Sequence, residues 1–203
     1  VDGLCVTGFL MFSLPRLLLA VLAFASLSAQ ANWHLDGESS RLSFISSKNG
    51  DTAEVHRFLV LHGKVDRKGA AELMIEMDSN SSGVPLRDER MRKDLFEFAR
   101  FAQANVYAQL DLRPINDLAN GAQVELRLPV TVKLHGKEHA YNALLLATRL
   151  DERRFQVVTL EPLMLRAEDF DLVPGLEALR KVAGLKSISP SVPVSAVLIF
   201  TAR

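Results

Sequence analysis

Between Val124 and Leu134 every second residue is apolar. Val124, Leu126, Leu128, Val130, Val132 and Leu134 alternate with positions held mostly by Glu125, Arg127, Thr131 and Lys133. Successive side chains of a strand point to opposite faces, so this pattern describes a long strand with one dry face and one wet face. Pro129 falls on the polar side. Proline has no backbone N–H to give to a ladder, which places a bulge or an edge there.

The same period recurs along the chain. Val106, Ala108, Leu110 and Leu112 alternate with Tyr107, Gln109, Asp111 and Arg113, and Leu73, Ile75 and Met77 do so more loosely. Leu42 with Phe44, the stretch 56–65, and the runs 140–150, 155–165 and 192–201 read as further strands. Turn chemistry separates them. Asp66-Arg67-Lys68-Gly69, Asn120-Gly121 and Asp151-Glu152-Arg153 are polar breaks of the kind that close hairpins. Hairpin-linked strands at short spacing predict an all-β, antiparallel fold. Strands of ten or more residues favour a barrel over a sandwich, because a long sheet twists and closure removes its edges.

Two stretches break this period. Residues 85–98 are dense in charge from Arg87 to Asp94, with Leu86, Met91, Leu95 and Phe98 near helical spacing. Residues 174–183 predict a second short helix. Pro174 suits its first turn, Glu177 and Arg180-Lys181 complement its dipole, and Gly184 can cap it. Leu176, Leu179 and Val182 form its expected buried stripe.

The N-terminus reads differently from the rest. Arg16 precedes the apolar run 17–25, and Ala29-Gln30-Ala31 carries the A-x-A pattern of a signal-peptidase site. The run is shorter than the about 20 residues needed to span a bilayer. A secretory leader over 1–31 is therefore expected, with 1–10 a start-site artefact ahead of Met11, and 32–203 a single exported domain. The lone cysteine, Cys5, lies in that leader. Internal disulfides, zinc ribbons and CxxC redox motifs are excluded. Lys+Arg and Asp+Glu both number 24, so no global field favours nucleic acid, and no nucleic-acid partner is expected.

From Trp33 to about Phe200 the chain resembles the YceI-like proteins. The resemblance rests on Trp33-His34-Leu35-Asp36, Ser40-Arg41-Leu42-Ser43-Phe44, and His56-Arg57-Phe58 leading to His62-Gly63-Lys64-Val65-Asp66. It continues through Arg87-Asp88-Glu89-Arg90-Met91 to Leu95-Phe96, and ends with Leu134-His135-Gly136. It implies a lipocalin-like barrel of about eight strands, with short helices at about 85–98 and 174–183. It also implies a protein exported to the periplasm that binds an isoprenoid or quinone chain, and no catalytic signature. The chain departs from the family where Ala102 follows Phe101, and its 174–183 helix resembles a subgroup feature.

On this reading Phe44, Phe58, Ile75, Met77, Val106, Leu110, Leu126, Leu128 and Leu145 face the lumen. Phe96 and Phe98 close one end, and Arg87 or Arg90 meets a polar head. A long apolar chain gains about 0.8 kcal/mol per buried methylene, so it needs no polar motif to bind. Transient contact with a membrane accompanies such a cargo. Core and ligand-lining positions use the same residues, so a filled barrel serving as a structural or protein-interaction module remains the alternative. A lipid hydrolase or isomerase is a third class, without an ordered triad to support it. His56, His62 and His135 have the chemistry of a zinc or copper site, but spacing without context is a weak signal, and no metal or cofactor is expected. Glu168, Asp169 and Asp171 precede a helix, where acids are stabilising without any chemistry.

Overall fold

The computed structural model describes residues 32–202. The expected leader and Arg203 lie outside the described residues. The strand segments are β1 (Trp33–Leu35), β2 (Arg41–Lys48), β3 (Thr52–Phe58), β4 (Leu61–Val65), β5 (Ala70–Glu76) and β6 (Asn80–Ser81). After them come β7 (Gln103–Gln109), β8 (Gln123–Leu134), β9 (Lys137–Asp151), β10 (Arg154–Thr159), β11 (Leu163–Arg166) and β12 (Ser191–Ala202).

These twelve segments make a closed antiparallel barrel of eight strands. Four barrel strands are unbroken or nearly so: β7, β8, β9 and β12. The other four are kinked pairs, β1–β2, β3–β4, β5–β6 and β10–β11. The second half of a pair continues along one or both neighbours of the first: β6 extends β5 along β3 alone, and β11 extends β10 along β12 alone. β1 pairs with β4 and β2 with β3, while β12 closes the ring on β1, β2, β10 and β11. The order is therefore a simple up-and-down meander, which short hairpins can close without crossovers.

The kinks have local causes. At the β3–β4 break the backbone N–H groups of Leu59 and Val60 both donate to Ser79 Oγ at 3.1 Å, so one hydroxyl replaces the missing ladder bonds. The β8–β9 hairpin turns on His135 and Gly136, with φ of 50° and 76°, between the paired Leu134 and Lys137. Two successive residues at positive φ match the right-handed twist of the flanking strands. Pro129 pairs with Asn142 on the β9 side, but the β7 pairing of β8 stops at Val130. Its missing donor thus falls at a local edge and leaves no ladder bond broken.

Sequence and structure differ in three elements. β7 ends at Gln109, and a short helix α2 (Arg113–Asn116) follows instead of continued strand. Asp111 takes over here, accepting from the Arg113 backbone and side chain. The charged helix stops short of Phe98. It runs as α1 (Pro85–Arg90), widens into a π-turn over Met91–Leu95 and closes with Phe96 N–H donating to Met91 O at 2.9 Å. Glu97 then takes φ 46°, and the chain leaves the helix. The last helix, α3 (Val173–Val182), forms near the expected place, but Val182 is 55 % exposed. Its inward stripe is Leu172, Leu176 and Leu179 instead.

α3 lies against the π-turn at close range. A Cβ at Gly175 would stand 2.7 Å from Asp94 O and 2.9 Å from the Leu95 Cα, so only glycine permits this contact. Together these helical pieces roof one end of the barrel. α2 stands at the other.

Candidate functional site

The barrel is not packed solid. Its apolar face lines two chambers of about 460 and 200 Å³. The larger alone lies within the roughly 300–1,000 Å³ of ordinary ligand pockets. The two adjoin, because Leu42, Val106, Leu163 and Val194 line both. These four side chains form a neck in one lumen. Strand β8 shows how the alternation builds it. Leu126, Leu128 and Val130 line the smaller chamber, and the same face continues as Val132 and Leu134 in the larger.

Of the residues expected to face the lumen, Phe44, Phe58, Ile75, Met77 and Phe96 stand in the larger chamber. Leu110, Leu126, Leu128 and Leu145 stand in the smaller, and Val106 in both. Phe98 is a correction. It belongs to neither wall and packs half-buried against the core. The left-handed turn at Glu97 ends the helix before Phe98, which the helical spacing had placed on the same face as Leu95. Leu163, Leu165, Phe170, Leu172, Leu176 and Leu179 line the larger chamber without having been singled out for it. The alternation of Leu163 and Leu165 with Met164 and Arg166 carries that signal. The helical stripe of α3 does not, because a stripe tells that a face is covered and not by what.

One side of the larger chamber is charged. Lys48, Glu54, Arg87, Arg90 and Arg166 all contribute to its wall. Glu54 accepts from Lys48 Nζ at 2.8 Å and from Arg87 Nη1 at 2.5 Å. The Lys48 hydrogen bond and the two positive charges hold the Glu54 carboxyl below its usual range. Arg87 also donates through Nε to Ser82 Oγ at 2.8 Å and through Nη2 to Ser82 O at 3.0 Å. Its guanidinium is thus committed to tying α1 onto β3. Arg166 lies 3.8 Å from Glu168 and 3.6 Å from Asp169. Arg90 is half-buried and, among the described residues, has no carboxylate partner.

His56 is buried at 2 % exposure beside this cluster, stacked on Phe44 with ring centroids 4.9 Å apart. Its Nε2 is 2.7 Å from Ser46 Oγ. Burial and then the Arg87 charge push its pKa down, against the pull of Glu54 and Asp88, so the ring is held neutral. The three histidines considered for a metal lie apart in role. His62 contacts Glu76 Oε1 at 2.9 Å on the barrel exterior, while His135 Nδ1 donates to Phe170 O at 3.0 Å. Among the described residues no three His, Cys, Asp or Glu side chains gather to hold a metal ion.

The acids before α3 are tethers. Tyr141 donates its hydroxyl to Asp169 at 2.7 Å. Burial, and then that hydrogen bond, push the Tyr141 pKa up to about 12. Lys137 meets Asp171 at 2.9 Å. These contacts and the His135 bond fasten the 167–171 segment to the β8–β9 hairpin, and so set where α3 begins.

The fold has counterparts. Residues 33–200 match the family model of the YceI-like domain. A solved polyisoprenoid binding domain from Saccharophagus degradans, implicated in plant cell wall breakdown, is 37% identical. The match covers 84% of this chain and 98% of that one, with a TM-score of 0.83. BcnA from Burkholderia cenocepacia shares the fold at 16% identity and a TM-score of 0.60, over 81% of this chain and 98% of that one. No curated protein matches the chain.

Proposed function

Because the chain belongs to the YceI-like family, we propose that it is an exported carrier whose barrel holds the tail of an isoprenoid or quinone lipid. The observation that carries this reading is the pair of adjoining apolar chambers behind a charged wall. A cavity wall lacks atoms on one side and so forgoes dispersion contacts, which a hydrocarbon chain restores. The 37% identical domain described as polyisoprenoid binding supports the same cargo class. The role is binding without turnover: Ser46 Oγ in the chamber wall lies 2.7 Å from His56 Nε2, but among the described residues no side chain holds the other ring nitrogen to orient that histidine as a base.

The tail enters the larger chamber and, when long, passes the neck into the smaller. The head stays at the charged wall. Val84 and Leu86 belong to the same wall and are 47 % and 56 % exposed, so the entrance carries apolar surface. That surface suits loading and release at a membrane. The leader expected at 1–31 supports export, and the family supports the periplasm as the compartment.

The sole tryptophan gives a direct test. Trp33 lines the smaller chamber, edge-on to Phe155 at 4.9 Å. Titrating delipidated protein with geraniol, farnesol and geranylgeraniol is expected to shift Trp33 emission only for chains long enough to pass the neck. Affinity rises with each added unit. Emission and affinity indifferent to chain length would refute a threaded tail.

A further inference from the structure

The larger chamber opens between three elements that are pinned to one another. The β2–β3 hairpin gives Lys48 and Glu54 to its wall, α1 gives Leu86 and Arg87, and the segment after α3 gives Leu185 and Ile188. Arg87 ties α1 to Glu54. Asn49 N–H donates to Ser187 O at 3.0 Å, and Lys186 N–H donates to Asn49 Oδ1 at 2.8 Å. The mouth is therefore a fixed frame, and the fold sets what its rim exposes.

That rim is apolar and basic at once. Leu86 is 56 % exposed on one side of it, and Val182 is 55 % exposed on the other. Lys181 and Lys186 stand on either side of Val182 in the chain. Both are exposed, and among the described residues neither has a carboxylate partner. On the three elements Lys48, Arg87, Arg90, Lys181 and Lys186 stand against Asp51, Glu54 and Glu89. Arg180 pairs with Glu177, and Asp88 is buried, so the rim keeps a positive surplus.

Water is a poor route through such a mouth. Each methylene that leaves the lumen for water slows exit about fourfold, so a long tail has no fast path through solvent. An anionic bilayer removes that obstacle. Its surface potential attracts lysines, and exposed apolar side chains enter its interface. It matches the charge of the rim and dissolves the tail as well.

We propose that this mouth docks on an anionic phospholipid bilayer, with Leu86 and Val182 entering the interface and Lys181 and Lys186 facing its negative surface. This rests on the carrier reading above and names the partner of that same mouth.

The test floats lipid-free protein with vesicles of phosphatidylcholine, alone or mixed equally with phosphatidylglycerol. At low salt, binding to the mixed vesicles is expected to be at least tenfold stronger, and the difference shrinks as salt is added. A lysine near an anionic surface strengthens binding about fivefold, so Lys181→Glu combined with Lys186→Glu removes most of the preference. Val182→Glu weakens binding to both kinds of vesicle. None of these three residues lines a chamber, so both variants keep their affinity for geranylgeraniol, read from Trp33 emission. Circular dichroism confirms that each is folded. Failure to float with either vesicle overturns the proposal, as does binding indifferent to charge and salt, or unchanged in the lysine variant. A second arm follows transfer of bound geranylgeraniol to mixed vesicles. Docking predicts a rate that rises with vesicle concentration, and a rate independent of it overturns docking. Protein that floats with the mixed vesicles but takes up no geranylgeraniol supports the docking surface and removes the isoprenoid reading, so the two failures are read apart.

Discussion

Val106→Phe is expected to separate short isoprenoids from long ones. Val106 lines both chambers and shares the neck with Leu42, Leu163 and Val194. Its side chain is inward-facing on β7, and its partner across the ladder is Val132, itself a wall residue. A phenyl ring here projects into open lumen, so the overpacking cost of about 1–3 kcal/mol known for filled cores is an upper bound. Geraniol, which needs only the larger chamber, keeps its affinity within about threefold. Geranylgeraniol loses whatever part of its tail occupied the smaller chamber. At about 0.8 kcal/mol per methylene, excluding two of them already weakens binding more than tenfold. Isothermal titration calorimetry of both alcohols on both proteins gives the ratio. A variant that weakens the two equally would mean that the chambers do not act in series.

Phe170→Ala is expected to produce the largest loss of stability. Phe170 is 1 % exposed and is the largest of the fully buried side chains. Its ring lies 6.3 Å from Tyr141 and 6.5 Å from His139, and its carbonyl accepts the His135 bond. It therefore stands where the chain leaves β11, lines the chamber and turns into α3. Truncating a phenylalanine in such a site costs about 3–5 kcal/mol, which for a chain of this size lowers Tm by roughly 10 °C or more. Adding geranylgeraniol recovers part of the loss, because a ligand that binds only the folded state stabilises it. Thermal melts with and without the lipid read both effects. A loss under about 1 kcal/mol would show that the 167–171 segment is not the anchor of α3.

The long strands were legible because they are half wet. β8 presents one lumen face and one solvent face, and its alternation follows directly from that, while β9 was read from the apolar run at 143–147. The helical stretch 85–98 was legible in type but not in its end, since nothing in Glu97 announces a left-handed turn. Phe98 was misplaced for that reason alone. The strand expected through Arg113 failed on Asp111, whose side chain captures the Arg113 backbone and starts α2. The tetrapeptide Leu-His-Gly-Lys makes the limit plain. At 61–64 it is strand, with Gly63 paired to Leu73. At 134–137 it is a hairpin turn with two residues at positive φ. Local sequence is the same in both, and the ladder around it decides.

The site was legible as a face and not as a space. Period two marks which residues point inward, and the nine residues expected in the lumen all line a chamber. No pattern along the chain says whether facing side chains meet. That depends on the barrel's girth and on how far α3 reaches over its end, which are properties of closure. The neck is equally invisible in sequence, because Leu42, Val106, Leu163 and Val194 come from four separate strands.

The central claim is that this barrel carries an isoprenoid in its lumen. Mass spectrometry of an organic extract tests it most directly, using protein purified without detergent from its native compartment. The account predicts one isoprenoid species near one per chain, with a tail long enough to occupy both chambers. A folded preparation whose extract contains no stoichiometric lipid would contradict it.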